Sequence, residues 1–155
     1  MKKCLAAALI VIAGSSAASA QSGSVMGTWL VASKSAQVQI APCPNPANGP
    51  ICGTVVKLLE AKGPDGKAVA DPAEATDVNN ADPSLRRRKI VGIVLIHDFK
   101  KTNDPNAFEE GTIYNGENGK TYKANIRLEP DGTLRLRGYI GSTMFGETQI
   151  WTRVQ

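Results

Sequence analysis

The residues with the means to do chemistry are few. They are the cysteines Cys43 and Cys52, the neighbours His97 and Asp98, the group Asp77, Asn80 and Asp82, and the run Arg86-Arg87-Arg88. Two thiols could begin a zinc site, but a tetrahedral site needs two more ligands and the chain has a single histidine. Asp77, Asn80 and Asp82 carry oxygen ligands suited to calcium, yet they lack the glycine-containing loop and terminal glutamate of known calcium loops. Their side chains are expected to cap turns and prepare the entry to Pro83. Adjacent positions on a strand point to opposite faces, so His97 and Asp98 are not expected to form a dyad. No serine nucleophile motif flanks them. The sequence therefore predicts no catalytic residues, no metal, no cofactor and no enzyme.

Arginine is the best-placed anion ligand, because its planar guanidinium binds carboxylate or phosphate in bidentate fashion. The run Arg86-Arg87-Arg88 is in the usual case solvated; in the functional reading Arg86 and Arg88 form a basic rim at the barrel mouth that pairs with a carboxylate or phosphate headgroup. A second basic feature is the cross-strand pair Arg127 and Arg135, where like charges directly opposite are unfavourable and Glu129 is close enough to relieve part of the repulsion; the pair either contacts an anion on the outer sheet face or is held as flared, hydrated side chains.

Compartment follows from the first twenty residues. Lys2 and Lys3, an apolar run from Leu5 to Ala13 and the small residues Ala18-Ser19-Ala20 form a secretory signal, with cleavage after Ala20. The run is shorter than the roughly 20 residues that span a membrane. Cleavage removes Cys4 and leaves Cys43 and Cys52 as a pair in an oxidising compartment, where a disulfide is the default. Closing so short a loop contributes about 2.5 kcal/mol in the chain-entropy treatment. Residues 21–155 form one domain. Net charge is +4, and loss of Lys2 and Lys3 leaves +2. So weak a charge on an exported chain argues against nucleic acid.

Short alternating runs bounded by Gly, Pro, Asn and Asp predict about eight strands. They lie near Gly27 to Ser33, Ala36 to Ile40, Gly53 to Leu59, Val91 to Lys100, Phe108 to Tyr114, Thr121 to Leu128, Thr133 to Ile140 and Thr148 to Val154. Helical periodicity is never sustained over three turns. A mostly β fold follows, as a single antiparallel sheet or barrel with one long irregular connection. Glu129-Pro130-Asp131-Gly132-Thr133 suits a three-residue hairpin loop with Gly132 left-handed. It sets Leu128, Ile126, Ala124 and Tyr122 opposite Leu134, Leu136, Gly138 and Ile140 on one apolar face. Arg127, Asn125 and Lys123 then oppose Arg135, Arg137 and Tyr139 on the other. The turn at Asn115 to Gly119 fits four or five residues, which leaves the face of Tyr114 open. From Ala61 to Lys89 the alternation stops, with a short helix expected around Pro72 to Thr76; this stretch is either a lid or a surface excursion.

The chain resembles a bacterial family of exported proteins catalogued as domain of unknown function 2147. The matching residues are Gly27-Thr28-Trp29, Asp77, Asn80-Ala81-Asp82-Pro83-Ser84-Leu85-Arg86, Arg88 and Gly92. Further on they are Gly111, Ile113-Tyr114, Gly119-Lys120-Thr121-Tyr122, Gly138-Tyr139-Ile140-Gly141, Phe145-Gly146 and Trp151-Thr152-Arg153. Where the family usually has Asp-Pro this chain has Asn115-Gly116, and it lacks a tryptophan near Phe108. The resemblance implies a lipocalin-like barrel of about eight strands and brings no established activity. In such barrels an arginine of the last strand lies across the tryptophan of the first, here Arg153 and Trp29.

Eight strands make a barrel that is either filled by its own side chains or holds one small ligand. Ala124 opposite Gly138 is locally slim, leaving room for a ligand or for Tyr122, Ile140 or Met144. The reading that follows is a monomeric binding protein of the periplasm or exterior. It takes a small amphipathic or anionic ligand through Arg86, Arg88, Tyr122 and Tyr139. The alternative is an interaction protein of the cell envelope using the outer arginines.

Overall fold

The turn at Glu129 to Thr133 forms as its residues dictate. Gly132 takes φ +82°, and its N–H donates to the Glu129 carbonyl at 2.9 Å. Asp131 accepts from the backbone and hydroxyl of Thr133. On either side run Lys120–Leu128 (β7) and Leu134–Tyr139 (β8), paired in the expected register from Leu128 with Leu134 to Lys123 with Tyr139. The expected pair of Tyr122 with Ile140 is absent. β8 ends at Tyr139, and Ile140 leaves the sheet to begin the next turn, 66% exposed.

A computed structural model describes residues 23–154. The signal sequence expected over residues 1–20, with Cys4, lies outside the described residues. The remaining strands are Gly27–Leu30 (β1), Ala36–Ala41 (β2), Cys52–Leu58 (β3), Val94–His97 (β4), Lys100–Lys101 (β5), Ala107–Asn115 (β6) and Gly146–Arg153 (β9). Successive strands pair antiparallel except β4 with β5, β1 pairs with β9, and β4 pairs with β6, so the sheet closes into an eight-stranded barrel. The short β5 adds to the same edge of β6 at Glu109 and Phe108.

The single strand expected from Val91 to Lys100 is broken after His97. Asp98 adopts φ +61°, Phe99 turns inward to full burial, and pairing resumes at Lys100. Gly111 makes room for this, since a Cβ there would lie 2.2 Å from the Phe99 ring. Inward-facing strand residues fill the core together with Phe99 from the break between β4 and β5: Trp29, Ile40, Ile96, Phe99, Ile126, Leu134 and Trp151 have no solvent access beyond 2%. The slim place at Gly138 is taken up by Tyr122 and Ile113, whose atoms lie 3.9 and 4.0 Å from where a Cβ would be. Neither Ile140 nor Met144, which is 84% exposed, packs there.

Two fastenings complete the barrel. Cys43 and Cys52 are joined by a disulfide across the loop between β2 and β3. Arg153 lies over the Trp29 ring, 4.2 Å from its centroid, and donates to the carbonyls of Met26 and Ser24. This clasp between first and last strands is the one implied by the resemblance. It contributes about 0.5–2 kcal/mol through the cation and ring alone.

Candidate functional site

Most of the chemistry-bearing residues converge where the long connection between β3 and β4 crosses the end of the barrel. A three-residue 3-10 turn, Pro72–Glu74, sits within the expected helical stretch, capped by Asp71. After it the chain pairs with its own return, Asp77 N–H donating to the Arg88 carbonyl and Ile90 N–H to that of Ala75. Asp77 becomes fully buried there, and a buried carboxylate must be satisfied or neutralised. Arg88 donates to one oxygen through Nε and Nη2 at 3.0 and 2.9 Å, Asn80 donates to the same oxygen at 2.7 Å, and the Tyr114 hydroxyl donates to the other at 2.5 Å. Burial and the Asp77 carboxylate push the Tyr114 hydroxyl up to about 12, so it stays protonated as a donor. Arg88 also overlies the Tyr114 ring, and Arg86 donates to the Asn80 carbonyl. Asp82 caps the 3-10 turn Pro83–Leu85.

The clasp closes on the turn between β6 and β7. That turn has four residues, with Asn115 paired to Lys120, which places Ile113 and Tyr122 inward and Tyr114 outward against the long connection. Asn79 donates to the carbonyls of Gly116 and Glu117. Gly119, at φ +69°, lies so close to the Asn79 carbonyl that a Cβ would fall 1.8 Å from its oxygen. The stretch from Ala61 to Lys89 is thus a strap fastened to the end of β6 and the turn between β6 and β7. Arg86 and Arg88 belong to that strap, where Asp77 already answers the charge of Arg88.

Tyr122 sits at the barrel end, its hydroxyl accepting from Asn118 Nδ2. Tyr139 lies elsewhere, on the outer face of β8 opposite Lys123. The four residues named as ligand contacts are therefore not brought together. Tyr139 is only 8% exposed and lines an outer cleft of about 480 Å³ with Asp98, Lys100, Glu110, Lys123 and Gly141. Its hydroxyl makes no hydrogen bond with another described residue. No fully buried side-chain polar atom among the described residues lacks a partner, so that hydroxyl reaches the cleft.

Backbone irregularity builds this cleft. Asp98 and Glu110 both have positive φ, at 61° and 53°, a conformation uncommon outside glycine that is enriched at functional sites. Because Asp98 leaves the strand geometry, its carboxylate swings back to His97 Nδ1 at 2.8 Å, contrary to the expectation from strict alternation. Lys100 bonds Glu110, which raises the Lys100 ammonium and lowers the Glu110 carboxyl from their ordinary ranges. A second outer cleft, about 320 Å³, adjoins Asn125, Arg127, Arg135, Arg137, Thr143 and Met144. Here Arg127 is relieved by Asp104, at 3.1 Å, instead of Glu129. The loop carrying Asp104 folds back to β7, with the Leu128 N–H donating to the Asn106 carbonyl, and so brings that carboxylate to Arg127.

Comparison with known proteins now gives these features a place. The sequence profile of the family described as "Uncharacterized protein conserved in bacteria (DUF2147)" matches residues 27–153. The chain belongs to this family. Among curated proteins none matches. The solved structure of protein HP1028 from Helicobacter pylori, described as belonging to the lipocalin family, is similar. It has a TM-score of 0.66 and 22% identity, covering 86% of this chain and 84% of that one. The DUF2147 barrel is therefore lipocalin-like in fold. The residues that carried the family resemblance from Asp77 to Arg88, with Tyr114 and Gly119, are those of the strap and its anchor. Among the described residues no helix is long and apolar enough to cross a membrane.

Proposed function

We propose that this protein is an exported, non-enzymatic, monomeric binding protein for a small amphipathic molecule, held in the outer cleft at Tyr139. The observation that carries the reading is the Tyr139 side chain: a ring nine-tenths buried on an outer sheet face, ending in a hydroxyl without a partner among the described residues. The cleft of about 480 Å³ is open to solvent and lined mostly by charged side chains, so it suits a polar ligand head resting beside the Tyr139 ring. The Lys100 and Glu110 pair and the Asp98 carboxylate supply polar contacts, while the Lys123 ammonium makes no ion pair with a described residue. Charges of both signs balance around the cleft, which suits a ligand head that both accepts and donates. The densely filled interior leaves the outer face as the better host.

Export rests on the signal sequence, with cleavage after Ala20 leaving residues 21–155 as one domain in the periplasm or exterior. The disulfide accords with an oxidising compartment. Arg86, Arg88 and Tyr122 act in this reading through the strap and barrel end that support the outer sheet.

Native mass spectrometry of the protein purified gently from its own cell envelope tests the proposal. A reproducible added mass at one per chain is expected, extractable with solvent and diminished in a Tyr139→Ala, Lys123→Ala double variant that keeps its fold. A clean apo mass, or an added mass indifferent to that variant, contradicts it.

A further inference from the structure

The turn between β8 and β9 presents Ile140, Met144 and Phe145 to solvent at 66%, 84% and 75% exposure. Large apolar side chains are usually exposed singly, and three on one short turn form a patch that calls for a partner. The turn is also firmly built. Ile140 N–H donates to the Phe145 carbonyl, and Phe145 N–H donates to that of Ser142. Arg137 reaches up to the Thr143 carbonyl through Nε at 2.7 Å and to Thr148 Oγ1 through Nη1 at 2.9 Å. The turn therefore holds its apolar side chains out instead of folding them against the barrel.

Charge identifies the partner. Beside the turn, Arg135 and Arg137 share an outer cleft with Thr143 and Met144, where Glu109 is the one acid among the lining residues and Arg127 is already answered by Asp104. Arg137 spends its donors on neutral oxygens, and Arg135 makes no ion pair with a described residue. A convex apolar tip backed by unneutralised guanidinium groups matches an interface of acyl chains beneath anionic headgroups. A protein partner would instead ask for a broader apolar patch.

We infer that this turn docks the barrel on an anionic lipid surface, with Met144 and Phe145 entering the headgroup boundary and Arg135 and Arg137 meeting the phosphates. The inference stands apart from the ligand proposed at Tyr139. Flotation of the full chain with phosphatidylglycerol-containing vesicles and with pure phosphatidylcholine vesicles tests it. The protein floats with the anionic vesicles and is released by high salt. A Met144→Ser, Phe145→Ser variant binds at least tenfold more weakly, and Arg135→Glu, which removes none of the bonds that hold the turn, abolishes the preference for anionic lipid. Thermal unfolding of both variants should match the wild type, since these side chains are exposed. Absence of wild-type flotation, or equal flotation of wild type and variants, overturns the inference.

Discussion

Replacing Arg88 with alanine removes the one charged partner of Asp77 among the described residues. The variant keeps two donors on the carboxylate, Asn80 and Tyr114, and loses two charge-assisted bonds of 3.0 and 2.9 Å. Breaking a buried ion pair costs about 3–5 kcal/mol. Asp77 is wholly inaccessible but the Arg88 side chain is 37% exposed, so water takes up part of the lost interaction and the lower figure, about 3 kcal/mol, applies. For a fold of about 130 residues, an unfolding entropy of about 2.1 cal/mol/K per residue turns this into a fall in Tm of about 11 °C. Thermal denaturation followed by near-ultraviolet circular dichroism reads it through Trp29 and Trp151, both in the core. A paired change, Asp77→Asn with Arg88→Met, removes the charge along with its partner while keeping an acceptor for Tyr114, whose hydroxyl also accepts from Asn80, and should recover at least half of the loss. A fall below about 3 °C for Arg88→Ala, or a double variant no better than the single one, would refute the buried-carboxylate account.

The other predictions concern the remaining fastenings. Arg153→Ala should lose about 0.5–2 kcal/mol from the Trp29 ring contact and more from two hydrogen bonds, seen as a lower denaturation midpoint in urea. Tyr114 holds its proton up to about 12 in the fold and only to about 10 when unfolded, so the unfolded state loses its proton first as pH rises. Its contribution is therefore complete below pH 10 and declines from there to about 12. Urea midpoints measured up that range should fall more steeply for wild type than for Tyr114→Phe. Cys43→Ser with Cys52→Ser should cost about 2.5 kcal/mol and remove the two-dalton mass gain seen on reduction of the wild type.

Local rules carried the fold far. Turn chemistry and alternation agreed at Glu129 to Thr133, and the β7 and β8 register followed as far as Tyr139. The closing contact of Arg153 with Trp29 was legible through the family resemblance. Alternation failed where the backbone left strand geometry. Asp98 at positive φ joined itself to His97 and sent Phe99 inward, a choice made possible by Gly111 some dozen residues away. The same distance effect hid the clasp. Asp77, Asn80 and Arg88 were each visible as polar residues in a long connection, but their meeting with Tyr114 depends on a four-residue turn that the sequence left undecided. Asp104 as the partner of Arg127 is a loop contact with no local signal. Tyr139 was placed on the outer face by register alone, whereas its burial and the cleft beside it arise from neighbouring strands and the turn after β8.

The most direct test of where the ligand sits is a residue-resolved amide NMR titration of the labelled protein with the solvent extract of its envelope-purified form. Shifts gathered at Asp98, Lys100, Glu110, Lys123, Tyr139 and Gly141 are predicted. Shifts centred instead on the interior, at Trp29, Phe99, Ile126 and Leu136, would contradict the outer-cleft account and return the ligand to the barrel.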